Sequence, residues 1–109
     1  MLFSNITDSE MLVLKVIMDG REPLSLVEIQ TVLKEKYKKE WKRSTICTFI
    51  LHLSDKGYVE SYRQGRSFYY RSKLDKNAFV RQRLETFSDF YFDGDKQKLL
   101  DCLKGGKVF

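Results

Sequence analysis

The chain carries the same helix-start signal twice. Thr7-Asp8-Ser9-Glu10 and Ser25-Leu26-Val27-Glu28 are both capping boxes, in which an N-cap hydroxyl accepts the N3 amide and an N3 glutamate reaches back. After the first box, Leu12, Val13, Val16 and Ile17 recur at helical spacing and Asp19-Gly20 marks a stop, so a first helix is expected over about residues 8–18. Pro23 cannot lie inside a helix, which makes 20–24 a connection. The second box opens a stripe of Leu26, Ile29, Val32 and Leu33, a second helix over about 26–36. A third begins near Lys42 to Ser44, with Ile46, Phe49, Ile50 and Leu53 at i, i+3, i+4 and i+7 and Gly57 where a C-cap glycine belongs. Its opposite face carries Ser44, Thr48 and Asp55, with Thr45 and His52 on the flank, so that face is polar and mostly short-chained.

Two β-prone runs follow, Tyr58 to Arg63 and Ser67 to Arg71, around Gln64-Gly65-Arg66. They predict a hairpin tipped by Arg63 and Arg66, with Phe68 and Tyr70 on one face and Tyr69 and Arg71 on the other. Leu74-Asp75 then opens a helix of about 76–91 whose apolar stripe is Phe79, Val80, Leu84, Phe87, Phe90 and Tyr91. Asp93-Gly94-Asp95 interrupts it, and Leu99, Leu100 and Leu103 suggest a short last helix. The fold class is therefore mainly α with a small β-hairpin. Three helices and a hairpin are the order of a winged helix-turn-helix domain, expected over residues 1–73, with C-terminal helices over 74–109.

Composition narrows the function classes. At 109 residues, 42% hydrophobic and 32% charged, a single folded soluble chain is expected rather than a disordered one. No apolar run approaches the roughly 20 residues of a membrane helix, and Met1 to Asn5 lack the basic and apolar regions of a leader, so a cytoplasmic protein without membrane association is expected. Two distant cysteines, Cys47 and Cys102, and one histidine, His52, offer no paired metal-ligand motif. No nucleophile–base pair or phosphate-binding glycine loop is evident, so neither an enzyme nor a cofactor is expected. Charge is unevenly spread. Net charge is −3 over residues 1–33, +7 over 34–73 and +1 over 74–109, within a total of +5. A basic middle is the footprint of a polyanion binder, although a solvated lysine-rich surface is the common alternative.

Three ordered segments carry a family resemblance. They are Ile6-Thr7-Asp8-Ser9-Glu10 with Val13-Leu14-Lys15-Val16-Ile17; then Trp41, Thr45-Ile46-Cys47-Thr48, Leu51-His52-Leu53 and Lys56-Gly57; then Gly65-Arg66-Ser67-Phe68-Tyr69-Tyr70. From Ile6 to about Leu103 the chain resembles the penicillinase-repressor family. The resemblance implies a homodimeric transcriptional repressor that binds a dyad-symmetric operator in double-stranded DNA. It sets Ser44, Thr45, Thr48 and His52 on the DNA-facing side of the third helix, and Arg63, Gln64 and Arg66 on the wing. Lys42 and Arg43 stand at the start of the third helix, where phosphates approach. The C-terminal helices would dimerise, with Phe79, Val80, Leu84, Phe87, Phe90, Tyr91, Leu99, Leu100 and Leu103 as the apolar contacts. Packing of that stripe within the chain is the alternative.

The chain also departs from the family pattern. Lys42-Arg43 replaces the serine and proline common after the tryptophan, Ser44 replaces a frequent basic residue and His52 a frequent arginine. Asp101-Cys102 is nearest to the Asn–Phe bond cleaved in the antibiotic-sensing members, which leaves a regulatory protease an open question. Cys102 alone cannot supply the paired CxC motifs of the copper-sensing members. Trp41 is expected to anchor the turn before the third helix rather than to stack on DNA. Cys47 and Cys102 read as inert. For His52 a base or phosphate contact and a plain surface position stand level. A winged-helix module that binds proteins instead of DNA is the alternative function.

The run Lys34, Lys36, Lys38, Lys39, Lys42 and Arg43 leads into the third helix. If it neutralises about six phosphates, affinity for duplex DNA falls about 10³-fold between roughly 50 and 200 mM salt. Anisotropy titrations at the two salt concentrations measure that slope.

Overall fold

A computed structural model describes residues Asn5–Phe109, so the reading of Met1 to Asn5 as lacking a leader falls almost wholly outside it. The chain divides between Asp75 and Lys76 into two compact units.

The first unit contains α1 (Asp8–Asp19), β1 (Leu24–Ser25), α2 (Leu26–Tyr37), α3 (Arg43–Asp55), β2 (Val59–Gln64) and β3 (Ser67–Ser72). Both capping boxes form: Thr7 and Ser25 each accept the N3 amide, and Glu10 and Glu28 each return a bond to the N-cap amide. α2 ends where Lys38 adopts a left-handed conformation, φ 59°. α3 ends in a Schellman motif, with the Tyr58 amide donating to the Leu53 carbonyl and the Gly57 amide to Ser54. Gly57, at φ 81°, supplies the left-handed residue that this motif requires.

β2 and β3 pair antiparallel with Tyr62 opposite Tyr69 and Gln64 opposite Ser67. The sheet has three strands in the order β1-β3-β2, because Leu24 and Ser25 pair with Tyr70 and Tyr69. The sequence pattern predicts only the hairpin. A two-residue strand is too short for any alternation to show, and it forms because the Pro23 connection runs past the free edge of β3.

The core draws on every principal element of the unit. Val13, Leu14 and Ile17 of α1 are buried, as are Ile29 and Leu33 of α2, Ile46, Ile50 and Leu53 of α3, and Val59 of β2. α1 packs on α2, α3 and β3 and thereby forms the centre of the unit.

One acid is buried with these residues. Glu10 is only 4% exposed. Its Oε1 accepts from the Thr7 amide at 3.1 Å and from Lys56 Nζ at 3.2 Å, and its Oε2 lies 2.6 Å from His52 Nδ1. Lys56 Nζ also donates to the Asn5 carbonyl at 2.6 Å. Burial by itself would raise the Glu10 carboxyl. The bonds from Thr7, His52 and Lys56, together with the charge of Lys56, outweigh it and hold the carboxyl below its ordinary value.

The second unit contains α4 (Lys76–Phe92) and α5 (Lys96–Leu103), packed on each other. Asp93 and Gly94, both at positive φ, turn the chain between them. The Asp95 side chain caps α5 by accepting from the Lys98 amide. Phe92 is buried and its ring lies 5.2 Å from that of Phe109.

Glu10→Gln tests the buried carboxylate. Glutamine preserves the reach to the Thr7 amide and removes the charge that attracts Lys56 and His52. Stability at neutral pH falls by about 2 kcal/mol in denaturant unfolding. Because the folded carboxyl is depressed, its contribution is present above the ordinary value of 4.5 and is lost as pH falls through the folded value. The wild-type chain therefore loses stability more steeply than the variant below about pH 4.5.

Candidate nucleic-acid interface

α3 has a buried side and an open side. Ile46, Ile50 and Leu53 anchor it in the core, which turns Ser44, Thr48, Leu51 and Asp55 outward as one exposed strip. Thr48 donates its hydroxyl proton to the Ser44 carbonyl at 3.0 Å, so toward solvent it offers acceptor lone pairs. Thr45 is half-buried on the flank. His52 occupies the same flank with its side chain 48% exposed, and its Nδ1 is committed to Glu10. The sequence pattern leaves a base contact and a surface position level for His52. In the fold this ring is tethered inward, and only its other nitrogen is left to face a ligand.

The start of α3 is held by α2. Gln30 Nε2 donates to the Trp41 carbonyl at 3.2 Å, and Gln30 Oε1 accepts from Arg43 Nε at 3.1 Å. The amide thus joins the turn to the first helical residue and orients the Arg43 guanidinium. Trp41 is half-buried with its ring edge-on to Phe49 at 5.2 Å, which is the anchoring role expected of it. Lys39 Nζ lies 5.8 Å from the Trp41 ring centre. Lys34, Lys39, Trp41 and Arg43 share the wall of one open hollow with Gln30 and a single acid, Glu40. Lys42, the N-cap of α3, is exposed and makes no side-chain cap bond. This places basic groups around the positive end of the α3 dipole, an arrangement suited to anions.

The wing is a tight hairpin. Gly65 at φ 65° and Arg66 form its two-residue turn, with the glycine in the first central position. Arg63 Nε donates to the Gly65 carbonyl at 3.0 Å, and its guanidinium lies 5.9 Å from the centre of the Phe68 ring opposite. Val59, Ser61, Phe68 and Tyr70 share the wing face that looks toward α3. Tyr62 and Tyr69 stack on the other face at 6.1 Å, joined by Arg71, which pairs with Glu60. Gln64 and Arg66 are exposed at the tip. Burial pushes the Tyr70 phenol above its ordinary value, and the neighbouring Cys47 adds to the shift.

In the second unit, Val80, Leu84, Phe87, Phe90, Tyr91, Leu100 and Leu103 are all exposed, while Phe79 and Leu99 are half-buried. Phe87 and Phe90 each bring their ring to 4.8 Å from that of Tyr91, so the outer face of α4 is an aromatic cluster. Phe92 lies off this stripe, which is why the periodicity omits it. Among the described residues, no three His, Cys, Asp or Glu side chains are grouped to hold a metal ion, and no helix is long and apolar enough to cross a membrane.

Sequence reasoning misses three contributors. Gln30 carries no signal there, and Lys56 and Leu51 fall within the segments of the family resemblance without any role of their own. Only for Leu51 did a usable signal exist, since the helical wheel sets it beside Ser44 and Thr48.

A core of three helices, an outward third helix and an arginine-tipped wing define a winged helix-turn-helix protein. The model of the penicillinase repressor family matches residues 6–104. The penicillinase repressor of Bacillus licheniformis is 30% identical over 90 residues, which are 82% of this chain and 67% of that protein. The chain belongs to the penicillinase-repressor family, a family of transcriptional repressors.

The wing turn gives a local test. A Cβ on Gly65 would meet nothing within 4 Å, so the cost of Gly65→Ala is purely conformational. It amounts to about 1 kcal/mol, read as a lower denaturant midpoint with an unchanged slope.

Proposed function

We propose that this protein is a homodimeric repressor that binds a dyad-symmetric operator in double-stranded DNA and occludes a promoter. The observation that carries the reading is the alignment of an exposed polar strip on α3 with cations at both its borders. Lys42 and Arg43 border it at the helix start, and Arg63 and Arg66 on the wing. B-DNA's major groove admits one helix and presents donors and acceptors to short polar side chains, while the flanking phosphates attract the cations.

In this reading Ser44, Thr45 and Thr48 meet base edges. Lys42, Arg43, Arg63, Gln64 and Arg66 hold the backbone, and His52 contributes through the nitrogen that Glu10 leaves open. The fixed Gln30–Arg43 bond presents one guanidinium in a set direction, which favours a defined register over sliding contact. The aromatic cluster of α4 and the exposed leucines of α5 form the self-complementary surface of a twofold dimer. Such a dimer sets two recognition helices about 34 Å apart, or a multiple of that distance, to match half-sites on one side of the duplex.

Selection from a random duplex pool near physiological salt tests the whole reading. An inverted repeat with fixed half-site spacing is the expected product. Retention without a motif would replace it with backbone-dominated binding and an accessory role, and no retention even at low salt would sink it in favour of a protein-binding module. The wing has its own test: Arg63→Ala with Arg66→Ala lowers the salt slope of binding by about 2 and affinity about tenfold or more, while the dimer seen in sedimentation persists.

A further inference from the structure

The outward strip of α3 is not wholly polar. Ser44, Thr48, Leu51 and Asp55 follow one another along it, and Leu51 is 59% exposed. A single exposed leucine is ordinary on a protein surface. This one forms the rim of an apolar groove of about 260 Å³ between α3 and the wing, with Cys47 beside it on the helix and Phe68, itself 51% exposed, across from it. No charged side chain lines the groove. Cations stand at its borders instead: the Arg63 guanidinium lies over the outer part of the Phe68 wall, and Lys42 and Arg43 stand at the helix start. Asp55 closes the strip at its far end, which keeps that end away from phosphate.

Apolar in the middle and basic at the edges is the complement of a major-groove floor between two phosphate backbones. Among the standard bases, the one apolar group on that floor is the C5-methyl of thymine. We propose that Leu51, with Cys47 at its side, reads thymine by packing on this methyl group, which makes Leu51 a specificity-determining residue. The hydroxyls of Ser44 and Thr48 read hydrogen-bonding edges and cannot distinguish thymine from uracil, because the two differ only by the methyl. Apolar groups can, and along this strip they are the Leu51 side chain and the smaller Thr48 methyl, of which Leu51 reaches further. The inference rests on the DNA-binding reading above and adds to it the identity of a base.

Deoxyuridine substitution tests it directly. Each thymine of the duplex recovered by selection is replaced singly by deoxyuridine, and affinities of the wild-type chain and of Leu51→Ala are measured by anisotropy. Loss of one buried methyl is worth about three- to fivefold. At one or more positions in each half-site, wild-type binding weakens by that factor, and in Leu51→Ala the same substitution costs less than about twofold. Leu51 is exposed, so the variant folds, which far-UV circular dichroism verifies. Equal binding of thymine and deoxyuridine duplexes at every position overturns the proposal while leaving DNA binding intact. A methyl effect undiminished in Leu51→Ala also overturns it, because another residue then reads the methyl. A chain that retains no duplex overturns both this inference and the reading on which it rests.

Discussion

The Glu10 carboxylate is the point through which the first unit is tied together. A buried acid is costly unless its oxygens are satisfied, and here three groups satisfy them: the Thr7 amide before α1, His52 in α3 and Lys56 at the α3 cap. Apolar packing of α1 on α3 does not resist a small slide of one helix along the other. Hydrogen bonds at 2.6 and 3.2 Å do. The same glutamate completes the capping box of α1, so one side chain both starts a helix and sets the register of the helix that faces outward.

That register decides what the outward surface can do. With Ile46, Ile50 and Leu53 turned inward, Ser44, Thr48 and Leu51 must turn out, and their chemistry is short, directional and partly apolar. Charge is kept to the edges, at Arg43 by the Gln30 bridge and at Arg63 and Arg66 by a turn that only a residue tolerant of positive φ makes without strain. In the proposed function, cations at the periphery supply attraction for a polyanion, and neutral groups in the centre supply discrimination. The division agrees with membership of a repressor family.

The C-terminal unit follows a different logic. α4 is long but buries little: Ser88 and Phe92 are its buried residues, and the stripe through Val80, Leu84, Phe87 and Tyr91 remains open. Two helices joined by a tight Asp93-Gly94 turn cannot cover such a face between themselves. An exposed aromatic cluster of this kind is the usual mark of an association surface.

Much of this was legible in the sequence because it is local. Capping boxes act within four residues, the stripes of α1 to α3 repeat at the helical period, and a glycine that opens a hairpin turn leaves its mark at one position. So the three helices, the hairpin, the outward Ser44 and Thr48 and the anchoring of Trp41 are already present in residue order. Contacts between residues far apart in the chain have no such signature. Glu10 and His52 are 42 positions apart, and only the crossing of α1 over α3 brings a buried carboxylate and a half-exposed imidazole into contact. The pairing of Leu24 with Tyr70, the Gln30 bridge to Arg43, and the groove that joins Leu51 to Phe68 likewise exist only after packing. The sequence alone determined which helices form and where the hairpin turns, since the free energy of each of these depends on near neighbours. The tertiary structure alone decided which side chains those elements present together, since that depends on how buried faces of different elements satisfy one another.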